Sequence, residues 1–237
     1  MQISKRLQAV AGMVTRGNRV ADIGCDHAYT SIYLIENNIS PKAIAMDVNQ
    51  GPMERALENI KKYGYESKII VRKSDGLEQL SQGEADSILI AGMGGNLMNQ
   101  ILSARPDVVG RVRELVLQPQ SEVHQVREHL MNIGFLITAE NMIKEDGQYY
   151  VMMKAEPEFY VKNKEPYRIT LEEHYYYGRL LLEHQNPVLR EFLLKERNQY
   201  EEIYEALLQW PTDKSIIRQK EILSMTELID KGLKYYS

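Results

Sequence analysis

Residues 20–29 read Val20-Ala21-Asp22-Ile23-Gly24-Cys25-Asp26-His27-Ala28-Tyr29, an apolar run that ends in an acidic residue and a glycine and then opens a helix. Gly24 lets backbone amides approach a ligand with no β-carbon in the way, and the following helix N-terminus favours a carboxylate. A dinucleotide site is marked by further glycines, but Asp26 and Ala28 stand in their places here. A diphosphate beside Asp22 and Asp26 is repelled. The sulfonium and amino groups of S-adenosylmethionine are cationic, so acidic residues suit it. An ordinary strand–turn–helix remains the alternative.

Two more acidic residues fall at strand ends. Asp47 closes the second apolar run, where an acidic residue grips ribose hydroxyls in Rossmann-like sites. Ser74-Asp75-Gly76 follows the third run, either as an acceptor for an adenine amino group or as a plain Asp-Gly turn. Ala91-Gly92-Met93-Gly94-Gly95 follows the fourth, and three glycines in five residues can line a pocket with backbone. This loop carries neither a side-chain acceptor nor a stacking aromatic. That argues against methylation of an exocyclic amino group and fits a ring nitrogen steered by backbone. Gln118-Pro119-Gln120, after the fifth run, is a further side-chain contact or a turn.

The elements that must carry these residues alternate. Strands are expected at residues 19–23, 43–47, 68–72, 86–91 and 114–117, and helices at 4–14, 29–36, 52–63, 96–102 and 122–132, with Ser4 an N-cap. Such alternation means a parallel sheet wound on both faces. Residues 135–142 and 149–154 read as a closing hairpin around Lys144-Glu145-Asp146-Gly147. Seven strands with the last inserted antiparallel resemble the class I methyltransferase fold. From residue 157 the composition turns helical. Leu189, Leu193, Tyr200, Ile203 and Leu207 mark one long helix begun or kinked at Pro187 and ended by Pro211; Ile222, Met225, Ile229 and Leu233 mark a second. Together they read as an antiparallel helical hairpin joined by residues 210–213. The expected domains are therefore 1–156, Rossmann-like, and 157–237, helical and coiled-coil-like.

Composition bounds the class. The 237 residues are 43% apolar and 26% charged, ordinary for a soluble globular chain, and no apolar run approaches a membrane span. Charges through residues 1–19 argue against a signal peptide, and the lone Cys25 agrees with a reducing cytoplasm. A net charge of −4 speaks mildly against a nucleic-acid partner.

Asp-Ile-Gly-x-Asp-His-Ala-Tyr, Ser-Asp-Gly-Leu, Ala-Gly-Met-Gly-Gly and the helical tail together resemble the bacterial tRNA (adenine(22)-N(1))-methyltransferase family. The resemblance implies transfer of a methyl group from S-adenosylmethionine to ring nitrogen 1 of one adenine in tRNA. Carried over by position, it puts Asp22, Gly24, Cys25, Asp47, Val48, Ser74, Asp75 and Gly76 in the cofactor site, with Ala91, Gly92, Met93 and Gly94 lining it toward the base. Asp26, His27 and Tyr29 become the catalytic group, and Lys5, Arg6, Gly95 and Gln118 substrate contacts; no metal is implied. RNA contacts are expected from Lys5, Arg6, Arg16 and Arg19 at the cleft mouth and from Lys162, Lys164 and Arg168 at the domain junction. The expected partner is tRNA, with no membrane, no obligatory protein partner and a monomeric chain. Two rivals stay open: a small-molecule methyltransferase with the tail as lid, and a non-catalytic tRNA-binding protein.

Overall fold

The computed structural model describes residues 1–209 and 212–237, so the expected helix end at Pro211 and the joining Trp210 lie outside the described residues. The chain divides into two compact units, Met1–Arg168 and Ile169–Ser237. The division falls after residue 168 rather than 156 because the intervening segment still belongs to the first unit. There Glu158 donates its N–H to the Gly134 carbonyl at 2.9 Å, Val161 is buried, and Arg168 bonds Glu158 at 2.7 Å.

In the first unit α1 (Lys5–Gly12) precedes β1 (Val20–Ile23), α2 (Tyr29–Glu36), β2 (Ala43–Asp47), α3 (Gln50–Tyr63), β3 (Ile69–Lys73) and β4 (Ser87–Met93). Then follow α4 (Gly95–Ala104), α5 (Pro106–Val109), β5 (Glu114–Pro119), α6 (Val123–Asn132), β6 (Phe135–Glu145) and β7 (Gln148–Pro157). The seven strands run in the order β3-β2-β1-β4-β5-β7-β6. The first five are parallel, and β7 pairs antiparallel with both β5 and β6. Every residue of β1, β2 and β5 is buried, as a sheet covered on both faces requires. On one face Val10, Val14 and Leu34 pack on Val20, Leu89 and Val116; elsewhere Ile32, Ala56 and Ile60 pack on Ala43 and Ala45.

The hairpin is longer than its sequence pattern. Asp146 and Gly147 hold φ of 50° and 79°, a tight two-residue turn that lets Lys144 and Glu145 continue pairing. Because β7 runs opposite to β5, this turn lies at the end of the sheet where the parallel strands finish. The far end of β7 lies where they begin.

The second unit is helical. A short π-helical turn (His174–Gly178) leads into α7 (Arg179–Glu183), α8 (Pro187–Gln209) and α9 (Asp213–Leu233). Pro187 starts α8 rather than kinking it, and the Asn186 side chain accepts from Val188 N and Leu189 N. Gln219 reaches the Leu207 carbonyl at 3.1 Å and Arg197 bonds Asp230 at 2.8 Å, so α8 and α9 run antiparallel. Among the described residues no helix is long and apolar enough to cross a membrane.

Candidate functional site

Where the parallel strands finish, a cleft of about 600 Å³ opens. β1 carries Asp22 to its wall. The carboxylate is 3% exposed and accepts the Ser31 hydroxyl of α2 at 2.7 Å. Burial, only partly offset by Ser31, pushes its pKa up to about 6. Asp47, the last residue of β2, is buried and accepts the N–H of Asn49 at 2.9 Å, closing a tight turn. Asp75 follows β3 on the same wall and is exposed. None of the three forms an ion pair among the described residues. Cys25 and Val48 also line the cleft; burial pushes the Cys25 thiol pKa up and keeps it protonated and unreactive. Ser74 lines it too, but its hydroxyl bonds the Gly76 carbonyl and the Gln79 N–H, bracing the turn.

Gly24 is the tightest point. Its φ is +70°, and a β-carbon there would stand 2.2 Å from Met93 Cε. The next turn is strained as well. His27 and Ala28 hold φ of 62° and 55°, a left-handed conformation that costs about 1 kcal/mol or more per non-glycine residue. Two bonds hold it: Ala28 N to the Cys25 carbonyl at 2.6 Å, and Asn59 Nδ2 to the His27 carbonyl at 3.0 Å. The result presents the His27 and Tyr29 rings parallel, 3° apart in plane and 5.2 Å between centroids. Asp26 is exposed beside them, with Oδ1 taken by Arg55 at 3.1 Å and facing His27 Nε2 at 3.6 Å.

Ala91, Gly92 and Met93 line the cleft, as does Arg6 from α1. Four expected site residues do not. Gly94 caps the start of α4 against the Ser121 hydroxyl, and Gly95 is buried where a β-carbon would meet the Ser121 carbonyl at 2.6 Å; both are packing glycines. Lys5 is exposed and outside the cleft wall. Gln118 is fully buried and outside the cleft wall; its Oε1 accepts Arg6 Nη1 at 2.7 Å. Arg16 and Arg19 precede β1 and so lie at the opposite edge of the sheet from the cleft, where Arg19 bonds Asp86 at 2.8 Å. Lys162, Lys164 and Arg168 follow β7, at the same far edge, and Lys164 and Arg168 are bonded to Glu158.

The wall also includes Gln120, from the Gln118-Pro119-Gln120 segment, and Leu7, Thr30, Asn49, Leu97 and Ile101, which the sequence did not single out as site residues. Leu97 and Ile101 share one face of α4 at a four-residue spacing, a pattern no different from core packing. Leu97 is nonetheless 47% exposed and so offers an apolar rim. Among the described residues no cluster of His, Cys, Asp and Glu could hold a metal ion. Two buried carboxylates and an exposed third, with no cation paired to them, fit a positively charged, phosphate-free ligand.

The match to known proteins is extensive. The methyltransferase domain family model matches residues 3–153. The tRNA (adenine(22)-N(1))-methyltransferase of Bacillus subtilis is 35% identical over 236 residues, 99% of this chain and 98% of that protein. A crystal structure of the B. subtilis m1A22 tRNA methyltransferase superposes with a TM-score of 0.86 at 34% identity, covering 98% of this chain and 99% of that one. A Streptococcus pneumoniae protein solved with S-adenosyl-L-methionine gives 0.85 at 30% identity, covering 98% and 100%.

Proposed function

The chain belongs to the tRNA (adenine(22)-N(1))-methyltransferase family, and on that premise we propose that its cleft binds S-adenosylmethionine and methylates ring nitrogen 1 of an adenine in tRNA. The observation that carries this reading is the set of unpaired carboxylates, Asp22, Asp47 and Asp75, at the strand ends. They favour the cationic donor, and Gly24 and Gly76 keep the wall free of β-carbons.

S-adenosylmethionine, when bound, supplies an electrophilic methyl group on a sulfonium centre. Ring nitrogen 1 of neutral adenine already holds a lone pair in the ring plane, so no side chain has to remove a proton before attack. The protein's part is alignment and stabilisation of the cationic product. The parallel His27 and Tyr29 rings offer a stacking platform, and Leu97 and Met93 bound the space apolarly. Asp26 uses Oδ1 for Arg55, which leaves Oδ2 to accept from the adenine amino group as positive charge spreads onto it. Buried Cys25 takes no part. Ring nitrogen 1 lies on the pairing edge, so the base has to leave its stack to enter.

We take the chain to act as a monomer in a reducing cytoplasm, in keeping with its single, buried, unpaired cysteine. Tritiated S-adenosylmethionine, bulk tRNA and nucleoside analysis test the reading. Labelled 1-methyladenosine is the expected product. Label in small molecules alone, or no transfer, overturns it.

A further inference from the structure

Helix α1 and the last hairpin meet beside the cleft. Glu145 ends β6 just before the Asp146–Gly147 turn, at the cleft end of the sheet. Its carboxylate accepts the backbone N–H of Lys5 at 2.7 Å and of Arg6 at 3.1 Å, a contact spanning 140 residues of chain. Ser4 caps only the next amide, that of Leu7 at 3.2 Å. Glu145 therefore satisfies two of the donors that a helix start leaves open and fastens α1 to the hairpin.

What this fastening places is Arg6. Its Nη1 bonds Gln118 at 2.7 Å, its guanidinium stands over the Tyr150 ring at 5.6 Å, and Nη1 would lie 3.3 Å from a β-carbon at Gly92. Among the described residues that line the cleft, Arg6 is the one lysine or arginine. The donor's sulfonium and ammonium groups have no use for a fixed cation; an anion does, either the donor's carboxylate or an RNA phosphodiester, and cofactor affinity measured beside tRNA affinity tells the two apart.

We propose that Glu145 is a positioning residue for tRNA: it fixes the start of α1 so that the Arg6 guanidinium stands at the cleft to take a backbone phosphate of the nucleotide whose base enters. This rests on the function proposed above. The sign of the effect separates it from simple electrostatics. Removing a negative charge beside an RNA site should tighten binding by Coulomb's law, whereas loss of positioning weakens it.

The test measures Kd for an unmodified tRNA transcript by filter binding, together with KM, kcat, S-adenosylmethionine affinity by calorimetry and melting temperature. Glu145→Ala is expected to weaken tRNA binding about tenfold and raise KM in step, with kcat and cofactor affinity held within about twofold. Glu145→Gln keeps one accepting oxygen for Lys5 N or Arg6 N but sets an NH2 donor against the other, so it recovers only part of the loss. Arg6→Ala lowers the salt slope of tRNA binding by about one, and Glu145→Ala added to it costs nothing more. Unchanged or tighter tRNA binding in Glu145→Ala, additive losses in the double variant, or a matching loss of cofactor affinity each overturns the proposal. Wild-type protein that binds tRNA without forming 1-methyladenosine overturns the catalytic reading instead, while the Glu145–Arg6 coupling is still read from Kd.

Discussion

The two edges of the sheet treat buried carboxylates in opposite ways. At the edge where the parallel strands begin, Glu114 is 2% exposed and accepts from Thr15 N at 2.8 Å, the Thr15 hydroxyl and Ser87 Oγ at 2.7 Å, with Lys154 at 3.8 Å. Asp86 there bonds Arg19, whose guanidinium holds the Asp86 pKa below the usual carboxylate range. At the edge where the strands finish, Asp22 is as deeply buried but has only Ser31, through its hydroxyl and backbone N–H, as donor and no cation, and its pKa rises to about 6. One edge spends its polar groups on stability. The other leaves charge uncompensated for a ligand to meet.

The contrast can be broken most visibly from the stable side. Glu114→Ala strands three donors and a lysine, and should destabilise the first unit by about 3 kcal/mol in urea titration. Cofactor affinity in the folded fraction should be unchanged; a selective loss of cofactor binding would erase the distinction between the edges. Asp22→Asn should do the reverse. S-adenosylmethionine affinity falls about 100-fold, while the ligand-free protein gains on the order of 2 kcal/mol at pH 7.5 because a buried charge is gone. A destabilised Asp22→Asn protein contradicts the account.

A smaller effect sharpens the comparison through pH. Asp22 has a folded-state pKa above its unfolded value, so its contribution to stability is full below about pH 4 and is lost as pH rises through about 6. Asp86 is depressed, so its contribution is present above about pH 4 and is lost as pH falls below that. Cofactor affinity should drop below pH 6, by at most about tenfold per unit, as protonation removes the Asp22 charge. Calorimetric titration from pH 5 to 8 reads this, and a flat profile would show that Asp22 is not the group the ligand meets.

How much of this was legible follows from chain geometry. The strand ends at Asp22, Asp47 and Asp75 could be read because each closes an apolar run, and alternation with helices puts such ends at one edge. Arg19 was misplaced by the same proximity. It precedes Asp22 by only three residues, but a strand advances about 3.3 Å per residue, enough to carry the two toward opposite edges. Gly92, Gly94 and Gly95 look alike in sequence. Only the approach of Ser121, brought in by the next crossover, makes the last two packing glycines. Gln118 and Gln120 are likewise both polar, yet Gln118 is fully buried within β5 and held to Arg6, while Gln120 follows the strand and reaches the cleft. The division after residue 168 depends on contacts of Val161 and Glu158 that composition does not encode.

The most direct test of the uncompensated edge is calorimetric titration of the intact chain with S-adenosylmethionine and, separately, with NAD at pH 7.5. Saturable uptake of the sulfonium compound with no heat from the dinucleotide is the result expected of this cleft. Tight NAD binding with no response to S-adenosylmethionine would contradict the account at its root.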